Sequence, residues 1–133
     1  MSFDELMEYS LARLKDIATK NRLTGGETEH NQADIKSAYR QALININGGV
    51  FNTGYTLETC PPDLLIRGTV IELLQQDISL KARNQIAAND GGILLDREGN
   101  IALYMNIMER EREEFRDALQ KHKGFLNLRE AML

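Results

Sequence analysis

Apolar residues open the chain at Phe3, Leu6, Met7, Leu11, Leu14 and Ile17. That three-and-four spacing lays one stripe along one side of a helix. Ser2 and Glu5 stand three apart at its start, the layout of a capping box in which the hydroxyl accepts from an early backbone N–H and the carboxylate reaches back. Asp4, Glu5 and Glu8 lie near the positive end of the helix dipole, with Lys15 and Lys20 near the negative end. The pattern predicts a helix through about Lys20, stopped by Thr24-Gly25-Gly26. A second stripe, Ile35, Ala38, Tyr39, Ala42, Leu43 and Ile46, predicts a helix from near Glu29. Asn47-Gly48-Gly49 should end it, glycine being free to take a positive φ there.

Residues 51–60 break the helical rhythm. Val50-Phe51-Asn52-Thr53-Gly54-Tyr55-Thr56-Leu57 is β-branched and aromatic with a glycine inside, and reads as an extended arm with one short strand at most. Pro61-Pro62 then precedes a third helix, where the missing proline N–H costs nothing in the first turn. Leu64, Leu65, Val70, Ile71, Leu74, Ile78 and Ile86 make that helix largely buried, while Gln75-Gln76-Asp77 marks an exposed or interfacial side. Gly68 in mid-helix costs ~1 kcal/mol against alanine, a cost that close approach of another helix would offset.

Asn89-Asp90-Gly91-Gly92 should end this helix and turn the chain. Ile93-Leu94-Leu95 and Ile101-Ala102-Leu103 around Asp96-Arg97-Glu98-Gly99-Asn100 predict a β-hairpin over residues 93–103, closed by a type I turn with a bulge. A lone two-stranded ribbon is marginal in water and has to lean on helices or on a neighbour. A fourth helix is predicted from about Met105 to Lys121, with Tyr104, Met108, Phe115 and Leu119 as a narrow seam and Gly124 as its stop. Residues 125–133 are too apolar for a free terminus and should dock. The expected fold class is mainly α: a single domain over residues 1–133, built as a small four-helix bundle with an extended arm between the second and third helices and a β-hairpin between the third and fourth.

Composition narrows the function classes. Sixteen Lys plus Arg against twenty Asp plus Glu give a formal charge of −4, which argues against a basic nucleic-acid clamp. The single cysteine, Cys60, excludes an intrachain disulfide and reads as a small apolar residue before a turn. No apolar run approaches the ~20 residues that span a bilayer, and the acidic start lacks the layout of a signal peptide, so a cytosolic site of synthesis and no membrane partner are expected. None of the Gly-Gly pairs fits a phosphate loop. A calcium loop placed with Gly99 sixth would begin at Leu94 and end at Met105, so it fails. His30 and His122 have no partner at metal-ligand spacing and read as surface residues, and Ser10, Ser37 and Ser79 lack the setting of a nucleophile. The expectation is no enzyme, no cofactor and no metal.

One stretch carries a family resemblance. A long apolar helix leads through Ala82-Arg83-Asn84 to Asp90-Gly91-Gly92, a short β segment and a charged last helix. That order resembles the small bacteriophage head–tail connection proteins, the adaptor, neck or head-completion proteins that dock under the portal. The resemblance implies a structural virion protein at the head–tail junction, forming a homo-oligomeric ring, commonly of twelve copies, around the passage of genomic DNA. Its partners would be further copies of itself, the portal protein and a downstream neck or tail protein. Twelve copies at −4 each would carry about −48, and a predominantly acidic lumen lets DNA slide without holding it. A heterologous ring contact joins two different faces of the chain. Candidate contact residues are Phe51, Tyr55 and Leu57 of the arm, Ile93 and Leu95 of the hairpin, and Phe125, Leu126 and Leu128 of the tail. The alternatives are a small helical protein-interaction or regulatory protein with no virion role, and another phage tail or neck component.

Overall fold

In a computed structural model the described residues form four helices: α1 (Phe3–Lys20), α2 (Gln32–Asn47), α3 (Pro62–Asp90) and α4 (Glu98–Ala131). The structure describes residues 1–20, 30–48, 52–90 and 98–131, with side chains described for all of these except 84–90, 98–100 and 130–131.

The first two helices start where local hydrogen bonding dictates. Ser2 Oγ accepts from the Glu5 backbone N–H at 3.2 Å and donates to the Glu5 carboxylate at 3.1 Å, so the carboxylate meets the hydroxyl instead of the backbone. In α2 the box is complete: Asn31 Oδ1 accepts from Asp34 N at 2.9 Å, and Asp34 Oδ2 accepts from Asn31 N at 3.1 Å. This Asn-x-x-Asp signal sets the start at Gln32, a turn later than the apolar stripe implied. Helix α2 ends at Asn47 as expected, but without a glycine of positive φ at Gly48. Gly48 has φ −82° and ψ 177°, an ordinary extended backbone, and its N–H closes the helix on the Ile44 carbonyl at 3.0 Å.

The core is built around α3, which packs against each of the other three helices. Leu64, Leu65, Val70, Ile71, Leu73, Leu74 and Ile78 are all buried. They point to every side, as in a helix enclosed by its neighbours. Each such side chain contributes about 1.5–3 kcal/mol on burial. Ile35 and Ala38 of α2 meet Leu73, and Ala42 and Ile46 join Leu6 of α1 and Leu64 and Leu65 of α3. Ile17 of α1 shares a cluster with Val70, Ile71 and Leu74 of α3 and with Tyr104, Ile107 and Met108 of α4. Gly68 explains its own presence: a Cβ there would lie 3.0 Å from Ala42 Cβ and 3.3 Å from the Phe115 ring, so the missing methyl lets α2 and α4 close on α3.

The predicted β-hairpin is not present among the described residues, which hold four helices and no strand. Ile101-Ala102-Leu103, read as its second strand, are residues of α4. The physical reason is a longer period than the three-residue run reveals. Ile101, Tyr104, Ile107 and Met108 recur at helical spacing, and the last three are buried in the α1–α3–α4 cluster. Ala, Leu and Met are strong helix formers, and a ribbon would forfeit that burial. Ile93 and Leu95, and the Gly91-Gly92 turn, lie outside the described residues. Gly124 does not stop α4 either, which runs on to Ala131 for 34 residues in all. An interior glycine costs ~1 kcal/mol, too little to break a helix otherwise made of favourable residues.

The segment read as an extended arm folds back on its own chain. Asn47 organises it: its Nδ2 donates to the Tyr55 carbonyl at 3.0 Å, and its Oδ1 accepts from Thr53 Oγ1 at 2.8 Å and from Tyr55 N at 2.9 Å. The Thr56 N–H bonds Thr59 Oγ1 at 2.8 Å, and the Cys60 N–H bonds the Thr56 carbonyl, turning the chain into α3.

Candidate interaction surface

Two regions carry polar or apolar groups beyond what the core needs. The first lies between the start of α2 and the middle of α3. His30 Nε2 sits 3.1 Å from Asp77 Oδ1, with side chains 3% and 6% exposed. His30 as a residue is only half-buried because its backbone faces outward, but the imidazole is enclosed. The two atoms stand at ion-pair distance without a well-aligned hydrogen bond among the described residues. Asp77 raises the His30 pKa above its ordinary value, by hydrogen-bond proximity first and by charge as well; burial opposes it, and Asp34 and Gln76 assist. Gln76 Nε2 donates to the Asp34 carbonyl at 3.2 Å, fastening α3 to the first turn of α2.

Beside this pair is a cleft of about 490 Å³, lined among others by Asp34, Gln41, Glu72, Gln76 and Arg83. A second hollow of about 380 Å³ lies over Gly68, Ile71, Phe115 and Leu119, with Arg112 and Glu72 at its edge. Burial pushes the Glu72 carboxyl above the usual range, while Arg112 and a hydrogen bond from Asn45 hold it back. Both histidines were read from sequence as surface residues, and both are engaged: His122 Nε2 lies 2.7 Å from the Tyr55 hydroxyl. Gln75-Gln76-Asp77, read as an exposed or interfacial side, contains the buried Asp77, which faces α2. No spacing rule links His30 to a carboxylate 47 positions on, so this pair had no signal in the sequence. Among the described residues no three metal-ligating side chains converge.

The second region is the outer side of α4. Its middle is fixed by Arg13 Nη2 to Glu111 Oε2 at 3.0 Å and by Arg67 to Glu114 at 3.6 Å, and farther along Lys123 Nζ donates to the Gly48 carbonyl. Beyond Lys123, Gly124, Phe125, Asn127, Leu128 and Arg129 are exposed. Phe125 retains 64% and Leu128 61% of their accessible surface, while Leu126 is half-buried. Leu103 and Met105 add exposed apolar surface at the other end of α4.

The sequence-derived contact residues therefore separate. Tyr55 and Leu57 are half-buried and pack on the chain's own cluster with Cys60, Leu64 and Leu65. Phe51, Ile93 and Leu95 lie outside the described residues. Phe125 and Leu128 present themselves to solvent from one helix, three positions apart. Tyr9 on α1 and Ile44 on α2 are further exposed large side chains, which the sequence reading did not single out.

Among the described residues these features define a helical protein with exposed apolar side chains on α4 and two surface clefts. Comparison with protein-family models, with curated proteins and with solved structures returns no match. Among the described residues no helix is long and apolar enough to cross a membrane.

Proposed function

We propose that this chain is a structural virion protein of the bacteriophage head–tail junction. It assembles as a homo-oligomeric ring that joins the portal to a downstream neck or tail protein and surrounds the DNA passage. The observation that carries the reading is the end of α4. Phe125 and Leu128 stand exposed on a helix of about 51 Å, at 1.5 Å per residue, beyond the contacts of His122 with Tyr55 and of Lys123 with Gly48. Exposing two large apolar side chains on neighbouring turns is unfavourable for an isolated chain and useful to one that docks. The resemblance adds the virion context through Ala82-Arg83-Asn84, which lies late in α3; its β segment no longer contributes. The net charge of −4 suits a conduit that DNA crosses without being held.

Co-sedimentation tests the reading. The chain should travel with purified portal or with intact phage particles, and negative-stain imaging of the complex should show a closed ring. Absence of the chain from particles would overturn the virion role and leave a helical interaction protein acting elsewhere. Tight duplex binding by the isolated chain, weakened by changing Lys121 and Lys123, would favour a regulatory protein instead.

A further inference from the structure

We infer that the end of α4 docks on the acidic outer face of α1 in a second copy of the chain. This contact rests on the assembly reading above and assigns it two specific surfaces.

The donor surface is Lys121, Phe125, Leu128 and Arg129, at positions i, i+4, i+7 and i+8. Such residues share one side of a helix, so two exposed apolar side chains lie between two cations. Among the described residues neither Lys121 nor Arg129 has an ion-pair partner, and both are exposed.

The acceptor surface has the complementary composition. Glu5, Glu8, Tyr9 and Ala12 fall at i, i+3, i+4 and i+7 on α1, and all four are exposed, with Tyr9 at 50%. Asp4 extends the same acidic side. Of the cations on α1, Arg13 reaches Glu111 and Lys20 pairs with Asp16, while exposed Lys15, three positions past Ala12, stands at the far end of the patch from Glu5. An apolar pair flanked by positive charge thus has, on the same molecule, an aromatic and small-residue patch flanked by negative charge.

Helix direction makes the match usable in a ring. Arg13 pairs with Glu111, and Ile17 shares a cluster with Tyr104, Ile107 and Met108. Leu6 shares its cluster with Phe115, Ala118 and Leu119. Hence α1 runs antiparallel to α4, and its first turns lie toward the C-terminal end of α4. In a closed cyclic assembly all copies stand at one height, so the two halves of a heterologous contact must lie at similar heights. The end of α4 and the first turns of α1 lie at the same end of the bundle, with Phe125 and Leu128 beyond the level of Tyr9, so a ring contact between them tilts the helices against the ring axis.

Charge reversal gives the test. The donor variant Lys121→Glu/Arg129→Glu and the acceptor variant Glu5→Lys/Glu8→Lys are each compared with the full wild-type chain by sedimentation velocity. Circular dichroism confirms that both fold. The wild type should self-associate, and each variant alone should associate at least tenfold more weakly, because like charges then face each other. An equimolar mixture of the two should regain association through alternating copies. Tyr9→Cys and Leu128→Cys chains, mixed and oxidised, should yield a cross-linked heterodimer, Cys60 being shielded in the core. Association unchanged by either reversal would overturn this contact while leaving the ring reading standing. A wild type that stays monomeric and gives no cross-link would overturn the contact too, and the particle experiment then decides the broader reading separately.

Discussion

The buried His30–Asp77 pair makes an unequal prediction for its two members. Replacing His30 by Ala leaves the Asp77 carboxylate, only 6% exposed, without its counter-ion. Breaking a buried pair from that side costs about 3–5 kcal/mol, because an uncompensated charge stays inside. Replacing Asp77 by Asn is different, since histidine can shed its proton and stay buried neutral. The loss is then that of a charge-assisted contact, about 1.5–3 kcal/mol, and only where histidine would otherwise be charged. The sign follows from the raised His30 pKa. A raised folded-state value stabilises fully below the ordinary value of 6.5 and is lost as pH rises through the folded value. Asp77→Asn should therefore cost most near pH 5.5 and little near pH 9; His30→Ala should also cost less at pH 9, where the wild-type imidazole is already neutral, but should stay the costlier of the two because it additionally removes the buried ring. Urea unfolding of the three proteins at the two pH values measures this, with the His30 ring titration followed by NMR. Equal costs for the two variants at pH 9, or a cost of Asp77→Asn that grows with pH, would refute the reasoning.

Asn47→Ala removes three hydrogen bonds that hold the 52–60 connection, and at about 1 kcal/mol each should lower stability by roughly 2–3 kcal/mol in chemical denaturation. Gly68→Ala sets a gain of ~1 kcal/mol in helix propensity against overpacking of about 1–3 kcal/mol. The Ala42 Cβ at 3.0 Å is fixed to backbone, so a net loss is expected, read as a lower melting temperature. Cys60 is 2% exposed and burial pushes its thiol up to about 11, so a thiol reagent at pH 8 should label the native chain far more slowly than the urea-unfolded one; equal rates would contradict the placement.

How much of this was legible beforehand depends on the range of each interaction. The apolar stripe of α1, its stop near Lys20 and the Pro-led start of α3 are short-range features, and they read directly. The role of Gly68 was also readable, because a glycine inside an apolar helix has few other uses. The hairpin failed because Ile101-Ala102-Leu103 fits either period when seen alone, and burial of Tyr104, Ile107 and Met108 against α1 and α3 decides between them. Gly124 failed for a related reason, since one weak residue was weighed without the helix formers on both sides. His30, Asp77 and the fold-back onto Asn47 depend on contacts between separate elements, which spacing along one chain does not encode. At the candidate surface Phe125 and Leu128 were found as apolar residues near the end, but Tyr9 was missed because a lone aromatic among acids gives no pattern.

The central position of α3 also bears on the order in which the chain takes shape. Its partners α2 and α4 are its neighbours in sequence, and only the contact with α1 skips an element. Such local wiring favours fast folding. During synthesis α1, α2 and α3 can associate before α4 has been made, leaving Val70, Ile71 and Leu74 on an uncovered flank. Tyr104, Ile107 and Met108 then close that flank from the last helix to emerge. The segment that completes the core also bears the exposed apolar end, so that exposed surface is delivered together with the finished core and not ahead of it.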